Sequence, residues 1–370
     1  MKPEHCRTLD IRREYPAPPL PRQQVAAKGW KNGLVVRMPN WLGDAVMALP
    51  ALWQLKQILP PNAALGVIIP NGLRSFFHSL SWVDVIFPLA EAHRNWSREE
   101  IAAIRRFSPG AGVLFNNSLR DVCMLRLGGV SELYGGAARG RGFLLRGSFR
   151  FPPRRDHALN RLHHSNKYLA IATALGAPPW DGTLPPIDIA RPSVQLRAEL
   201  RALCDHPRML ILAAGAAYGA AKRYPSERFN FVARHWIGRG GIVIAVGSRD
   251  ESSIGTEIGV GLPANKYTNL MGETDLCELM HLLRAARAVV ANDSGVMHLA
   301  AALGKPGVAI FGSTDFTATG PIHPGWRILY SGRDCSPCFK RCCPRNSPQC
   351  MSDILPESVT AALDAITRTP

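Results

Sequence analysis

The sequence predicts an α/β protein built from two doubly wound domains with a cleft between them. Three observations carry that prediction. Short apolar runs alternate with helix-forming stretches at the spacing of βαβ units. Several of those runs, such as GIVIAV and GVAIFG, are almost wholly apolar. A strand of that kind needs helices over both of its faces, as in a parallel sheet. A Pro- and Gly-rich stretch, residues 175–192 (LGAPPWDGTLPPIDIARP), separates two halves of similar rhythm and reads as a linker. A chain of 370 residues also exceeds what one ordinary core supports.

The elements follow in order. Residues 1–30 form a basic, Pro-rich lead without the apolar centre of a signal peptide. It is expected to be disordered, and the protein to stay in the cytoplasm. Residues 31–190 form the first predicted domain. Its first strand is LVVR (34–37), and NWLGD turns it into a helix over 45–59. Strands follow at 65–70 and 83–89. GVLFNNS (112–118) then leads from a strand into a helix over 119–129. Residues 191–370 form the second predicted domain. RMLILAAG (208–215) is its first strand, followed by a helix over 226–240 with Ser226 as N-cap and glycines at its end. Further strands are predicted at 241–248, 288–293 and 307–312, and a last helix over 357–367 after Pro356. No apolar run reaches the roughly 18 residues of a membrane-spanning helix.

Composition narrows the partners. Lys and Arg number 44 against 28 Asp and Glu, a formal net charge of +16. Either the protein meets anionic partners, or it belongs to an Arg-rich proteome. The basic residues are dispersed, densest over 139–155, and no tract interleaves them with aromatics as a base-stacking surface would. A specific nucleic-acid partner is therefore not expected. Five of nine cysteines fall in CSPCFKRCCPRNSPQC, residues 335–350. One reading is a zinc site; the other, preferred because the spacing departs from paired C-x-x-C, is a loop of reduced thiols. No metal is predicted at the reaction centre.

In doubly wound sheets, ligands sit beyond the carboxyl ends of strands, where the next helices begin. Four such ends carry polar residues. Asn292-Asp293-Ser294-Gly295 ends an apolar strand and opens a helix. Free amides and the helix dipole suit an anion there, Gly295 admits close approach, and His298 falls on the same face as Ser294. The competing reading makes Asp293 and Ser294 mere caps and His298 a core residue. GAAYGAAKRYP (215–225) places Lys222 and Arg223 beside a glycine-rich loop, which suits a pyrophosphate. It matches neither a Walker loop nor a dinucleotide fingerprint, so an epimerase using a dinucleotide is not expected. GSRDE (247–251) offers acids either to ribose hydroxyls or, the preferred reading, to the helix dipole. In the first domain, Asp44 opens a helix behind a strand, either as a general base or as a cap. Asn116, Ser118, Arg120 and the stretch 141–147 add polar and cationic groups for an anionic acceptor.

Four stretches in this order, RMPNWLGDAVMALPAL, GAAYGAAKRYP, NDSGVMHLAAALGKPGVAIFGSTD and CSPCFKRCCPRNSPQC, resemble the lipopolysaccharide heptosyltransferases of glycosyltransferase family 9. The resemblance runs from about Leu34 to the final helix. It implies the GT-B fold, two Rossmann-like domains facing a cleft, with acceptor binding in the first and nucleotide-sugar binding in the second. It implies an ADP-heptose donor and an acceptor of Kdo and heptose on lipid A at the inner face of the inner membrane. Inversion at the anomeric carbon and no cofactor are implied as well. It assigns Asp44 as base and Lys222 to the donor diphosphate, with Tyr218, Asp293, Ser294, Gly295 and His298 lining the donor site. Asn116, Ser118 and Arg120 fall on the acceptor side. FNNSLR matches the family's acceptor stretch only loosely.

Overall fold

The computed structural model describes residues 6–7, 30, 32–150, 163–189 and 196–368. The chain divides into two compact units, one of Arg12–Pro192 and one of Met1–Ile11 with Ser193–Pro370. Strand β1 (Cys6–Arg7) belongs to the second unit. In the first unit lie β2 (Leu34–Arg37), α1 (Leu42–Met47), α2 (Leu49–Gln57), β3 (Leu65–Pro70), β4 (Val85–Leu89), α3 (Arg98–Phe107), β5 (Ala111–Leu114), α4 (Leu119–Leu127), β6 (Leu133–Gly136), β7 (Gly147–Phe149) and α5 (Ser165–Ala174). The second unit continues with β8 (Met209–Ala213), α6 (Ser226–Gly238), β9 (Ile242–Ala245), β10 (Tyr267–Asn269), α7 (Leu276–Ala285), β11 (Ala288–Asn292), α8 (Gly295–Ala302), β12 (Gly307–Phe311), β13 (Trp326–Tyr330) and α9 (Pro356–Thr367).

Each unit is a doubly wound sheet, parallel throughout except for β1 at the edge of the second. The first has strand order β4-β3-β2-β5-β6-β7, and the second β1-β13-β12-β11-β8-β9-β10. Counted within its own unit, each parallel sheet runs 3-2-1-4-5-6, the dinucleotide-fold order, with the direction reversing between its first and fourth strands. Those switch points lie between β2 and β5 and between β8 and β11. Every residue of β2, β5, β8 and β11 is buried, because helices cover both faces. Leu210, Phe229, Trp236, Val290 and Ile310 anchor the core of the second unit. Val35, Ile68, Leu114, Val122 and Leu133 do so in the first.

Several details depart from the sequence expectations. Cys6–Arg7 is not disordered: it pairs antiparallel with Leu329 and Ile328 on β13, whose edge offers unpaired peptide groups. Trp30, assigned to the lead, is buried with its ring 6.1 Å from that of Tyr134. The rest of the lead lies outside the described residues. The single helix expected over 45–59 is two, meeting at Ala48, because Pro50 lacks the amide that would continue the ladder. Ser226 is not an N-cap. It lies inside α6, which follows Pro225, and its hydroxyl donates to Glu257 Oε2 at 2.6 Å. Among the described residues no helix is long and apolar enough to cross a membrane.

Candidate active site

In the second unit, two of the predicted motifs flank the switch point. β8 and β11 run side by side, with Ala213 opposite Ala291, so the loops that leave them are neighbours. Asn292 fastens the two together: its Nδ2 donates to the Ala214 carbonyl at 2.6 Å, and its Oδ1 accepts from the Tyr224 amide at 3.2 Å. The glycine-rich loop is held from a third strand end. Glu251 accepts from the Ala216 amide at 2.6 Å and completes a capping box with Ser248. Gly215 lies so close that a Cβ there would stand 2.1 Å from Glu251 Oε2, so a larger residue would displace the carboxylate. Of the two readings of GSRDE, the helix-start role is the one Glu251 fills.

Lys222 and Asp293 meet across this junction. Lys222 Nζ lies 2.6 Å from Asp293 Oδ2, with the lysine side chain 12% and the aspartate 5% exposed. Thr314 Oγ1 donates to the same oxygen at 2.6 Å. Asp293, an unexpected neighbour for a phosphate, therefore fixes the ammonium group. Ser294 is extended and caps α8, its Oγ accepting from the Met297 amide at 3.4 Å. Gly295 begins the helix and His298 is buried one turn in. Tyr218 is 41% exposed, with Lys222 Nζ 4.9 Å from its ring centroid. Asp293, Ser294, Gly295, Lys222 and Tyr218 thus occupy one corner of the sheet.

The first unit repeats the arrangement. β2 and β5 run together with Arg37 opposite Leu114. Asp44 follows β2 in the first turn of α1, its carboxylate 35% exposed and 3.9 Å from His164 Nδ1. Burial, and then the Asp44 charge, push the Tyr168 phenol well above its ordinary pKa. Asn116, Ser118 and Arg120 follow β5, and all three converge on Asp121. Asn116 Nδ2 donates to its Oδ2 at 2.6 Å, Arg120 Nε to its Oδ1 at 3.0 Å, and Ser118 caps α4 through the Asp121 amide at 3.1 Å. Asp121 itself pairs with Arg37 Nε at 2.7 Å, both side chains fully buried. Arg141, expected to face an acceptor, is also buried. It donates to the carbonyls of Gly136 at 2.8 Å, Asn116 at 2.7 Å and Ser118 at 3.2 Å. Burial lowers its guanidinium pKa to about 10. Its work is to tie the loop after β5, through the Asn116 and Ser118 carbonyls, to the end of β6 at Gly136.

Sequence reading missed several of these groups. Arg37 and Asp121 are 84 residues apart, and His164 carries no motif. The contacts of Asn292 and Thr314, although both fall within a quoted stretch, depend on which strand ends lie side by side. The cysteines at 335, 338, 342, 343 and 350 are all free. Among the described residues no three His, Cys, Asp or Glu side chains gather as metal ligands would.

Two Rossmann-like units, one with a cation and helix amides at its switch point, make a frame suited to a phosphate-bearing ligand, the architecture of the GT-B glycosyltransferases. The chain belongs to glycosyltransferase family 9, the heptosyltransferase family, whose model matches residues 140–347. It is 29% identical to lipooligosaccharide heptosyltransferase 2 of Haemophilus ducreyi, over 77% of this chain and 84% of that one. It is 25% identical to lipopolysaccharide heptosyltransferase 2 of Escherichia coli, over 90% of this chain and 98% of that one. The solved ADP-heptose heptosyltransferase II of E. coli superposes with a TM-score of 0.73 at 24% identity, covering 91% of this chain and 98% of that one. An E. coli heptosyltransferase solved with ADP gives 0.67 at 16% identity, covering 90% and 99%.

Proposed function

We propose that the protein moves L-glycero-D-manno-heptose from ADP-heptose to the inner core of lipopolysaccharide, in the manner of heptosyltransferase II. The single observation that carries the reading is the pairing of Lys222 with Asp293 at the β8–β11 switch point, beside the N-terminus of α8. Similarity over most of the chain to proteins named heptosyltransferase 2 supports the sugar and the acceptor. The domain roles are acceptor binding by residues 31–190 and donor binding by residues 191–370.

The donor diphosphate sits against Lys222 and the first amides of α8, with Ser294 and Gly295 at the phosphates. Tyr218, Asp293 and His298 complete the donor wall. Asp44 takes the proton from an acceptor hydroxyl. That oxygen bonds to C1 of the heptose from the face opposite the leaving group, the C1–O bond to the β-phosphate breaks, and ADP departs. Negative charge grows on the β-phosphate as the bond breaks, so a preplaced cation and amides lower the barrier there. Asn116, Ser118 and Arg120 lie on the acceptor side. The acceptor carries Kdo and heptose on lipid A, so the enzyme works against the anionic inner face of the inner membrane.

The test is incubation with ADP-heptose and a truncated core acceptor, followed by mass spectrometry. Addition of one heptose is expected. No addition, or equal addition from UDP- and GDP-sugars, overturns the reading. In the same assay Asp44→Ala abolishes transfer and leaves ADP affinity unchanged by calorimetry; full turnover removes Asp44 from the base role. Lys222→Ala slows transfer about 100- to 1000-fold and weakens ADP. Unchanged donor affinity contradicts its phosphate role.

A further inference from the structure

The two cations beside the glycine-rich loop are both committed to carboxylates. Lys222 pairs with Asp293 at 2.6 Å, and Arg223 reaches Glu251 at 3.4 Å. Each carboxylate offsets part of the charge its cation brings to a diphosphate, so the doubly negative group calls for a cation beyond Lys222. A third cation reaches the same loop from 119 residues beyond Lys222 (341 − 222). Arg341, in the middle of the cysteine-rich segment, holds its guanidinium 5.2 Å from the centroid of the Tyr218 ring, which Lys222 also approaches. Arg341 is exposed and has no carboxylate partner among the described residues.

Its position is built by backbone contacts. The Arg341 carbonyl accepts from the Ala221 amide at 2.9 Å. Gly219 passes so close, at φ +155°, that a Cβ would lie 2.3 Å from that carbonyl oxygen. Tyr218 donates its hydroxyl to the Phe339 carbonyl at 2.9 Å. The Phe339 amide donates to Ser313 O at 2.7 Å, and Ser336 Oγ donates to the Gly312 carbonyl, both just past the end of β12. The cysteine-rich segment is therefore stitched to two strand ends of the donor corner, and it presents one unneutralised guanidinium there.

We propose that Arg341 is a donor-binding residue whose planar fork grips the β-phosphate of the nucleoside diphosphate, so that the cysteine-rich segment is a wall of the donor site. The inference rests on the ADP-heptose reading. Guanidinium suits the task because two parallel N–H groups match two phosphate oxygens. Tyr218 holds the group beside the loop, through the attraction of a cation to the ring face. The contact is to the β-phosphate, so it discriminates ADP from AMP.

The experiment is calorimetric titration of ADP and AMP into the wild type, Arg341→Ala, Arg341→Lys and Lys340→Ala, with melting curves for each. Arg341→Ala is expected to weaken ADP about tenfold or more and AMP by less than about threefold. Arg341→Lys falls between, and Lys340→Ala stays within about twofold of the wild type. If Arg341→Ala melts early, Arg341→Lys decides. Wild-type ADP affinity in a well-folded Arg341→Ala overturns the inference while the donor reading stands. An equal loss in Lys340→Ala assigns the effect to general charge and also overturns it. A wild type that binds no ADP fails the donor reading itself.

Discussion

Asp121 is the residue on which the first unit's strand ends depend. Its carboxylate accepts from Arg37, Asn116 and Arg120, and its amide donates to the Ser118 hydroxyl oxygen that caps α4. Arg37 is fully enclosed, and burial lowers its guanidinium pKa despite the carboxylate beside it. Two buried charges owe their place to each other, since taking either from water costs several kcal/mol. Asp121→Ala leaves the Arg37 charge unpaired and is expected to cost about 3–5 kcal/mol. Urea denaturation measures it; a loss below about 1 kcal/mol would mean that solvent reaches the pair. The charges at 37 and 121 are plain in the sequence. Their pairing is not, because it depends on β2 and β5 lying side by side, and strand order is a tertiary property.

At the scale of elements, the glycine-rich loop is shaped as much by the segment docked on it as by its own residues. Gly219 has a positive φ and the Arg341 carbonyl against its Cα. Gly219→Ala adds a Cβ to both constraints, at a strain of about 1–3 kcal/mol. It should push the cysteine-rich segment off the loop, with weaker ADP binding by calorimetry and a small drop in melting temperature. Unchanged ADP affinity would show that the segment and the donor site are independent. The βαβ rhythm was legible because buried parallel strands are continuous apolar runs: LVVR and LGVIIP are strands from their first residue to their last. The strand-end motifs were legible as well, since Asp44 and Asn292-Asp293-Ser294-Gly295 interrupt that rhythm. Less legible were the short strands β6, β7 and β10, which have three or four residues each and no long apolar run. The partner of Asp293 was out of reach too, being a lysine 71 positions away. Arg141 misled for the same reason: an Arg in a glycine-rich turn reads as exposed until the carbonyls it serves are seen.

For the whole molecule, charge is the property that acts furthest. An excess of 16 positive charges draws the protein to any dense anionic surface, with each Lys or Arg near an anionic leaflet contributing about 1 kcal/mol. A membrane and a nucleic acid both satisfy that attraction, but a leaflet interface also takes up exposed apolar side chains without any unstacking of bases. Phe143 is 83% and Trp41 61% exposed, at the carboxyl side of β6 and β2, with Arg139 and Arg146 on the surface near Phe143. Co-sedimentation with vesicles containing anionic lipid is therefore expected at low salt, with none for zwitterionic vesicles. Binding should fall steeply as the screening length shrinks from about 10 Å at 0.1 M salt toward about 3 Å at 1 M. Phe143→Ser should lower vesicle binding while ADP affinity, which the proposed donor site in the other unit would set, stays constant. Duplex DNA bound as tightly as the vesicles, with Phe143→Ser neutral on both, would reduce the positive surface to a general counter-ion effect and remove the membrane from the proposal.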